Sequence, residues 1–310
     1  MRLWSDAEEF LDQLDAAAQA PGTPAAARLG RALGELFEEH EDPFVTNADL
    51  RDAARRLVAA ACCAFLKDPD LTEERWQPYV AWAKALTLWD TIATFNYDRV
   101  LETLGGFEVL DPGGDLKGRE PLVLKLHGSV DWQRLAVPGG GARYVVTNEP
   151  EHALRCAGYQ IGIATPGPTK RIAARELQSI WNLAENEIRK ARAVVFVGFR
   201  FPPSDAEARG RLLAALAENE NPHLELHIVL GPRRTDDVVR LEQLLLYAMR
   251  RAGRLQRRPT PTALAALGDA PVTAGGYQTT FELTQHALFA EDFFTVWRRD
   301  LVLRPGIPPT

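Results

Sequence analysis

The sequence predicts an α/β fold, a parallel sheet covered by helices on both faces, with a helical region placed ahead of it. Three observations carry this. Residues 1–89 show helical periodicity and almost no strand signal. From Asp90 to Pro232, short β-rich runs alternate with amphipathic helical stretches, which is the pattern of a helix-covered parallel sheet. One of those runs, AVVFVGF (193–199), is nearly continuously apolar, as a central parallel strand buried on both faces should be.

Taken in order, the first predicted helix covers Asp6 to Ala20, with Phe10, Leu11 and Leu14 at helical spacing and Pro21-Gly22 ending the run. A second runs from about Pro24 to Glu41 and stops near Pro43. Asn47 or Asp49 is placed to cap a third, whose apolar face is read as Leu57, Val58, Cys62 and Phe65. The fourth, after Thr72, holds Trp76, Tyr79, Trp82 and Leu86, an aromatic stripe read as core packing. The texture changes at Asp90. Strands are expected at TIATF (91–95), PLVLKL (121–126), YQIGIAT (159–165), AVVFVGF (193–199) and LELHIVL (224–230), with long helices over Arg171–Lys190 and Asp205–Ala217. A further helix is expected over Asp236–Met249, then a polar Arg/Pro/Thr-rich connection, then an aromatic amphipathic piece around Phe293, Phe294 and Trp297. This divides the chain into a helical region (1–89, a cap or insertion), an α/β core (90–232) and an extension packing on that core (233–310).

Composition narrows the function classes. At 310 residues, 46% hydrophobic and 25% charged, the chain can bury a sizeable core. A net charge of −6 argues against nucleic acid as the main partner, because phosphate binding needs surplus Lys and Arg. The local exception, Arg233, Arg234, Arg250, Arg251, Arg254, Arg257 and Arg258, reads as a solvated helix face with its flanking loop in preference to a phosphate patch. No run is apolar enough to span a bilayer, and the acidic N-terminus lacks the features of a secretion signal. Cys62, Cys63 and Cys156 form neither a disulfide framework nor a metal-spaced set, so the expected setting is a reducing cytoplasm without a zinc site.

In parallel sheets ligands bind beyond the carboxyl ends of the strands. There the first run ends Thr94-Phe95-Asn96-Tyr97-Asp98, leading to Arg99 and Glu102. Asn and Asp at such a junction ordinarily cap the following helix. The second run ends Leu124-Lys125-Leu126-His127-Gly128-Ser129, with Trp132 close behind, and places a His where a general base reaches a bound ligand. The fourth ends Gly198-Phe199-Arg200-Phe201-Pro202-Pro203, with Ser204-Asp205 opening the next helix. Gly198 permits a tight turn or the close approach of a ligand, and Arg200 suits a diphosphate as well as it suits a neighbouring carboxylate.

Four ordered blocks, TFNYDRVLE (94–102), LKLHGSVDW (124–132), ATPGPTK (164–170) leading to SIWNLAENEIRKA (179–191), and VFVGFRFPPSD (195–205), resemble the bacterial sirtuin-like domains associated with antiviral defence. The resemblance covers roughly residues 90 to 232 and implies a Rossmann-like core. It implies catalytic roles for Asn96 and His127, and cofactor contacts from Thr94, Asp98, Gly198 and Arg200, with Asp98 at the position that meets the nicotinamide carboxamide. It implies NAD as the substrate, cleaved at the nicotinamide–ribose bond to give nicotinamide and ADP-ribose, with no metal. It also implies a homo-oligomer or a partner defence protein as the setting for control. The chemistry is coherent. Cleavage develops positive charge on the sugar, an imidazole can take the proton of an attacking water, and a neutral amide can orient ribose or water.

The sequence departs from that pattern in places. Family members open with a strand and a Gly-Ala-Gly-type turn that cradles the pyrophosphate. This sequence starts Met1-Arg2-Leu3-Trp4-Ser5 and leads into helix, while Pro112-Gly113-Gly114 and Pro138-Gly139-Gly140-Gly141 read as turns between strands. Three accounts stay open: a missing native beginning, NAD held by another route that uses Arg200, or a fold kept as a scaffold. Leu230-Gly231-Pro232 stands where relatives tend to have an Asn, and Phe95 replaces a polar residue of deacetylating sirtuins. The readings that compete with the hydrolase are a catalytically silent nucleotide- or partner-binding module and, weakened by the lack of a four-cysteine zinc module, a protein deacylase.

Overall fold

The computed structural model describes most of residues 47–257, together with 277–279, 281–296 and a few isolated positions before 47. The predicted helices over 6–20 and 24–41 therefore lie almost wholly outside the described residues, as do Ser204, Trp297 and the segment 165–173. The chain divides into two compact units, residues 1–184 with 203–205, and residues 185–202 with 206–310.

In the first unit, helix α1 (Asn47–Ala64) leads through a short 3-10 turn (Glu74–Trp76) into α2 (Gln77–Ala85), which takes a proline in its first turn. Strand β1 (Thr91–Thr94), helix α3 (Val100–Leu104), and strands β2 (Glu108–Val109) and β3 (Leu122–Lys125) follow. The three strands form a parallel sheet in the order β1-β3-β2, with Thr94 paired to Lys125 at its end. Two residues separate β3 from strand β4 (Gly128–Ala136), which belongs to a different, antiparallel sheet with β5 (Ala142–Val146) and β6 (Ile161–Ile163), in the order β5-β4-β6, the short helix α4 (His152–Arg155) standing between β5 and β6 in the chain. Val123, Leu124, Leu126, Val130 and Ile161 are fully buried.

Helix α1 closes on that second sheet. Ala59 packs with Val130, Ala153, Ile161 and Ile163, and Val58, Cys62, Cys63 and Cys156 flank them. A Cβ at Gly158, in the turn preceding β6, would lie 2.7 Å from the Cα of Asp52, so only glycine allows the helix this close. The apolar face predicted for this helix is corrected at one position, and Phe65 lies outside the described residues. Leu57 is 71% exposed, because the buried face centres on Ala54, Ala59 and the stem of Arg55. Small side chains let the helix approach the strands, and Leu57 falls on the opposite side.

The second unit opens with the later part of α5 (Gln178–Lys190) and continues through β7 (Ala193–Val197), α6 (Ala206–Ala217), β8 (Leu224–Val229), α7 (Asp236–Arg251), the antiparallel pair β9 (Leu255–Arg257) and β10 (Tyr277–Thr279), β11 (Phe281–His286) and α8 (Ala290–Thr295). Strands β11, β8 and β7 make a parallel sheet in that order. Helix α7 buries Val238, Leu241, Leu245, Ala248 and Met249, a helical stripe, and packs against α6. Asp236 and Asp237 at its start and Arg250 and Arg251 at its end complement the helix dipole.

All five predicted strands exist, in an α/β arrangement with two parallel sheets. Two details differ from the single sheet expected. The run at 159–165 pairs antiparallel with β4. The central strand of the second unit's described sheet is β8, whereas the more apolar β7 has its one described partner on one side. An apolar run reports burial, which loops and helices also provide, and not the number of neighbouring strands. Strand β11 carries Glu282, Thr284 and Gln285 among its apolar residues, and this polar content hid it from the sequence reading.

Candidate functional site

The site residues of the first unit gather where β1 and β3 end together. The Thr94 carbonyl accepts the Leu126 N–H at 2.9 Å, so the chain beyond β3 still tracks β1. Thr94 Oγ1 then accepts the Asn96 N–H at 3.1 Å, a local turn that lifts Asn96 away from the sheet line. Asn96 is exposed. Asp98 forms an Asx turn into α3, its Oδ1 accepting the Val100 N–H at 2.9 Å, while Arg99 stands at the N-cap without a side-chain cap bond.

His127 occupies the two-residue turn between β3 and β4. Its backbone is fixed on both sides. Its carbonyl accepts the Ala164 N–H at 2.8 Å, and Trp181, fully buried, donates its indole N–H to the Leu126 carbonyl at 3.1 Å. Gly128 follows at φ 81°, where a Cβ would lie 1.9 Å from the Gly162 carbonyl oxygen, so the turn requires glycine. The imidazole itself is buried, 6% exposed. Phe95 meets it edge-on with ring centres 4.7 Å apart, and Tyr97 lies nearly parallel to it at 6.3 Å. Tyr97 is held in turn by its hydroxyl, which donates to the Ala164 carbonyl at 2.5 Å. The two rings that contact His127 are thus the two sequence neighbours of Asn96.

A carboxylate completes the surroundings of the imidazole. Asp205, 5% exposed, places Oδ1 3.9 Å from His127 Nε2. That is beyond a hydrogen bond and within electrostatic reach. A part-buried ion pair joins Arg99 Nε to Asp131 Oδ2 at 3.2 Å. Lys125, also buried, contacts Glu102 Oε1 at 2.7 Å.

Next to this site, Cys62, Cys63, Leu66, Arg99, Thr103, Val130 and Glu151 line a small cleft. Burial raises the Cys62 thiol to about 11, with the charge of Asp98 adding to the effect, and Cys63 and Cys156 are raised by burial as well. These thiols are protonated at neutral pH and poor nucleophiles. Among the described residues no group of His, Cys, Asp and Glu is arranged to hold a metal ion.

Gly198 and Arg200 belong to the second unit. Gly198 sits at φ 71° after β7, with its N–H donated to the Val229 carbonyl at 3.0 Å and, among the described residues, no contact within 4 Å of where a Cβ would stand. Arg200 is solvent-facing, its NH1 3.4 Å from Asp237 Oδ2, and its carbonyl accepts a bond from Arg240 at 2.9 Å. Of the other arginines noted in the sequence, Arg234 pairs with Glu242 at 2.5 Å, and Arg254 donates to the carbonyls of Asn219 and Asn221 at 2.6 Å. These are structural contacts. No described helix is long and apolar enough to cross a membrane.

Sequence reading found Asn96, Asp98 and His127 but gave no role to Lys125, Glu102, Asp131 or Trp181, although all four stand in the quoted blocks. The signal was a charged residue inside an apolar run, Lys125 in PLVLKL, answered by Glu102 one helical turn beyond Asp98. No protein family model matches the chain, and no curated protein is significantly similar to it.

Proposed function

We propose that the chain is a sirtuin-like NAD hydrolase of bacterial antiphage defence, releasing nicotinamide and ADP-ribose, with His127 and Asn96 as its working pair. The observation that supports this most is the contact of the His127 ring with both Phe95 and Tyr97, the residues on either side of Asn96. His127 takes the proton of the attacking water or of a ribose hydroxyl through an imidazole backed by Asp205. The apolar face of Phe95 limits water around the ring and strengthens the field of that carboxylate. Asn96 is exposed, and the bond into α3 is made by Asp98, which leaves the Asn96 amide to orient ribose or water. Asp98 keeps its second carboxylate oxygen for the nicotinamide amide, and Thr94 supports the turn on which both depend.

The reading is tested by incubating purified protein with NAD and following nicotinamide by chromatography, beside Asn96→Ala and His127→Ala variants with unchanged circular dichroism. Release by the parent and by neither variant supports the assignment. Release that survives both substitutions removes these residues from the mechanism.

One observation favours the second reading, a catalytically silent nucleotide- or partner-binding module. Arg200, the cation expected at the diphosphate, faces Asp237. Absence of nicotinamide release together with absence of NAD binding by calorimetry decides for that module.

A further inference from the structure

We propose that Lys125 is a positioning residue of the same site, tying the loop that carries Asn96 to the turn that carries His127. The inference rests on the reading of those two residues as the working pair and assigns the device that holds them in register. Lys125 is the last residue of β3 and is 1% exposed. Its neighbours Val123, Leu124 and Leu126 are fully buried and apolar, so packing alone would be served by another aliphatic residue. An ammonium in such a place is retained only with its charge and its protons answered.

Lys125 Nζ meets three groups, two as hydrogen-bond acceptors and one as a counter-charge. It donates to the Asp98 carbonyl and to Ser129 Oγ at 2.8 Å, and it pairs ionically with Glu102 Oε1 at 2.7 Å. Those partners sit on the loop after β1, at the start of β4 and on α3. Asp98 lies two residues beyond Asn96, and Ser129 lies two residues beyond His127. The Val130 N–H donates to the Tyr97 carbonyl at 3.0 Å and adds a parallel tie to the same loop. Glu102 neutralises the ammonium, and its other oxygen is buried without a hydrogen-bond partner among the described residues. The lysine is therefore the one ionic partner seen for that carboxylate. One side chain thus fixes the separation of the two strand ends on which the proposed reaction depends.

Removing Lys125 alone would strand the Glu102 charge, so the informative variant is Lys125→Met combined with Glu102→Gln, which keeps shape and removes both charges. Ser129→Ala is the milder companion, because it deletes one partner and buries no charge. Two readouts separate positioning from general stability. The first is hydrogen exchange of the Val100 and Val130 amides relative to the α1 core. Those amides should exchange ~10- to 100-fold faster in the paired variant while the core keeps its protection. The second is nicotinamide release, where kcat should fall ~100-fold with KM within about threefold of the parent, as expected for misplaced reacting groups. Ser129→Ala should show both effects at smaller size, and it decides the matter if the paired variant does not fold. Unchanged exchange at Val100 and Val130 in a folded variant overturns the proposal, whether or not the parent cleaves NAD. A parent that releases no nicotinamide counts against the NAD reading alone, and the exchange result still decides the role of Lys125.

Discussion

At the scale of single residues, the first unit sets a buried imidazole beside a carboxylate and holds the thiols close by in their neutral form. His127 has a carboxylate at 3.9 Å and two aromatic rings that fix its plane, whereas the neighbouring thiols are held protonated. Cys62, raised from 9.0 to about 11, carries roughly one thiolate in a thousand at pH 8. Iodoacetamide should therefore label Cys62 in the folded protein at least ~30-fold more slowly than in urea, read by peptide mass spectrometry. Equal rates would show that the thiol is neither buried nor shifted. The candidate residues were legible because Asn96, Asp98 and His127 are polar groups at the ends of apolar runs. Their division of labour was not legible. Which of Asn96 and Asp98 bonds to the backbone entering α3 depends on geometry two residues away, and the approach of Asp205 to His127 joins residues 78 positions apart.

At the scale of elements, the turn between β3 and β4 matters most, since one residue of distortion there moves His127. A Cβ at Gly128 would stand 1.9 Å from a backbone oxygen that cannot rotate away, and the φ of 81° adds strain. Gly128→Ala should lower unfolding free energy in urea by more than ~2 kcal/mol, and a loss below ~0.5 kcal/mol would show that the turn is not as described. In the second unit, β8 and β11 are joined by side chains as well as by their ladder. His227 Nδ1 and His286 Nε2 lie 3.0 Å apart, and burial together with His227 lowers the His286 pKa from 6.5. A lowered base binds fewer protons folded than unfolded, so its share of stability is full above pH 6.5 and is lost as pH falls toward the folded value. Urea unfolding between pH 7.5 and 5.5 should show a decline that is smaller in His286→Asn, and identical pH dependence would remove this pair from the account. The sequence revealed the five strands of the α/β region through their apolar runs. It concealed β11 and the strands β4 and β5 themselves, whose mixed residues pair through backbone bonds that carry no hydrophobic signature, although Pro138–Gly141 between the latter two reads as a turn between strands.

At the scale of the whole molecule, the region expected to form one core is shared between two units, and the assigned residues follow that division. Thr94, Asn96, Asp98 and His127 lie in the first, Gly198 and Arg200 in the second. Ordered motifs identified which segments matter, but a boundary between compact units depends on long-range packing that no local pattern encodes. The central claim is that Asn96 and His127 act at one site on one substrate. Groups that act as a unit are strongly non-additive, and independent groups multiply their effects. The most direct measurement is the rate of nicotinamide release from NAD by the parent, Asn96→Ala, His127→Ala and the double variant. The account predicts a loss of ~100-fold or more in each single variant and a double variant no slower than the worse of the two. Parent-like release in either single variant, or losses that multiply in the double, would contradict it.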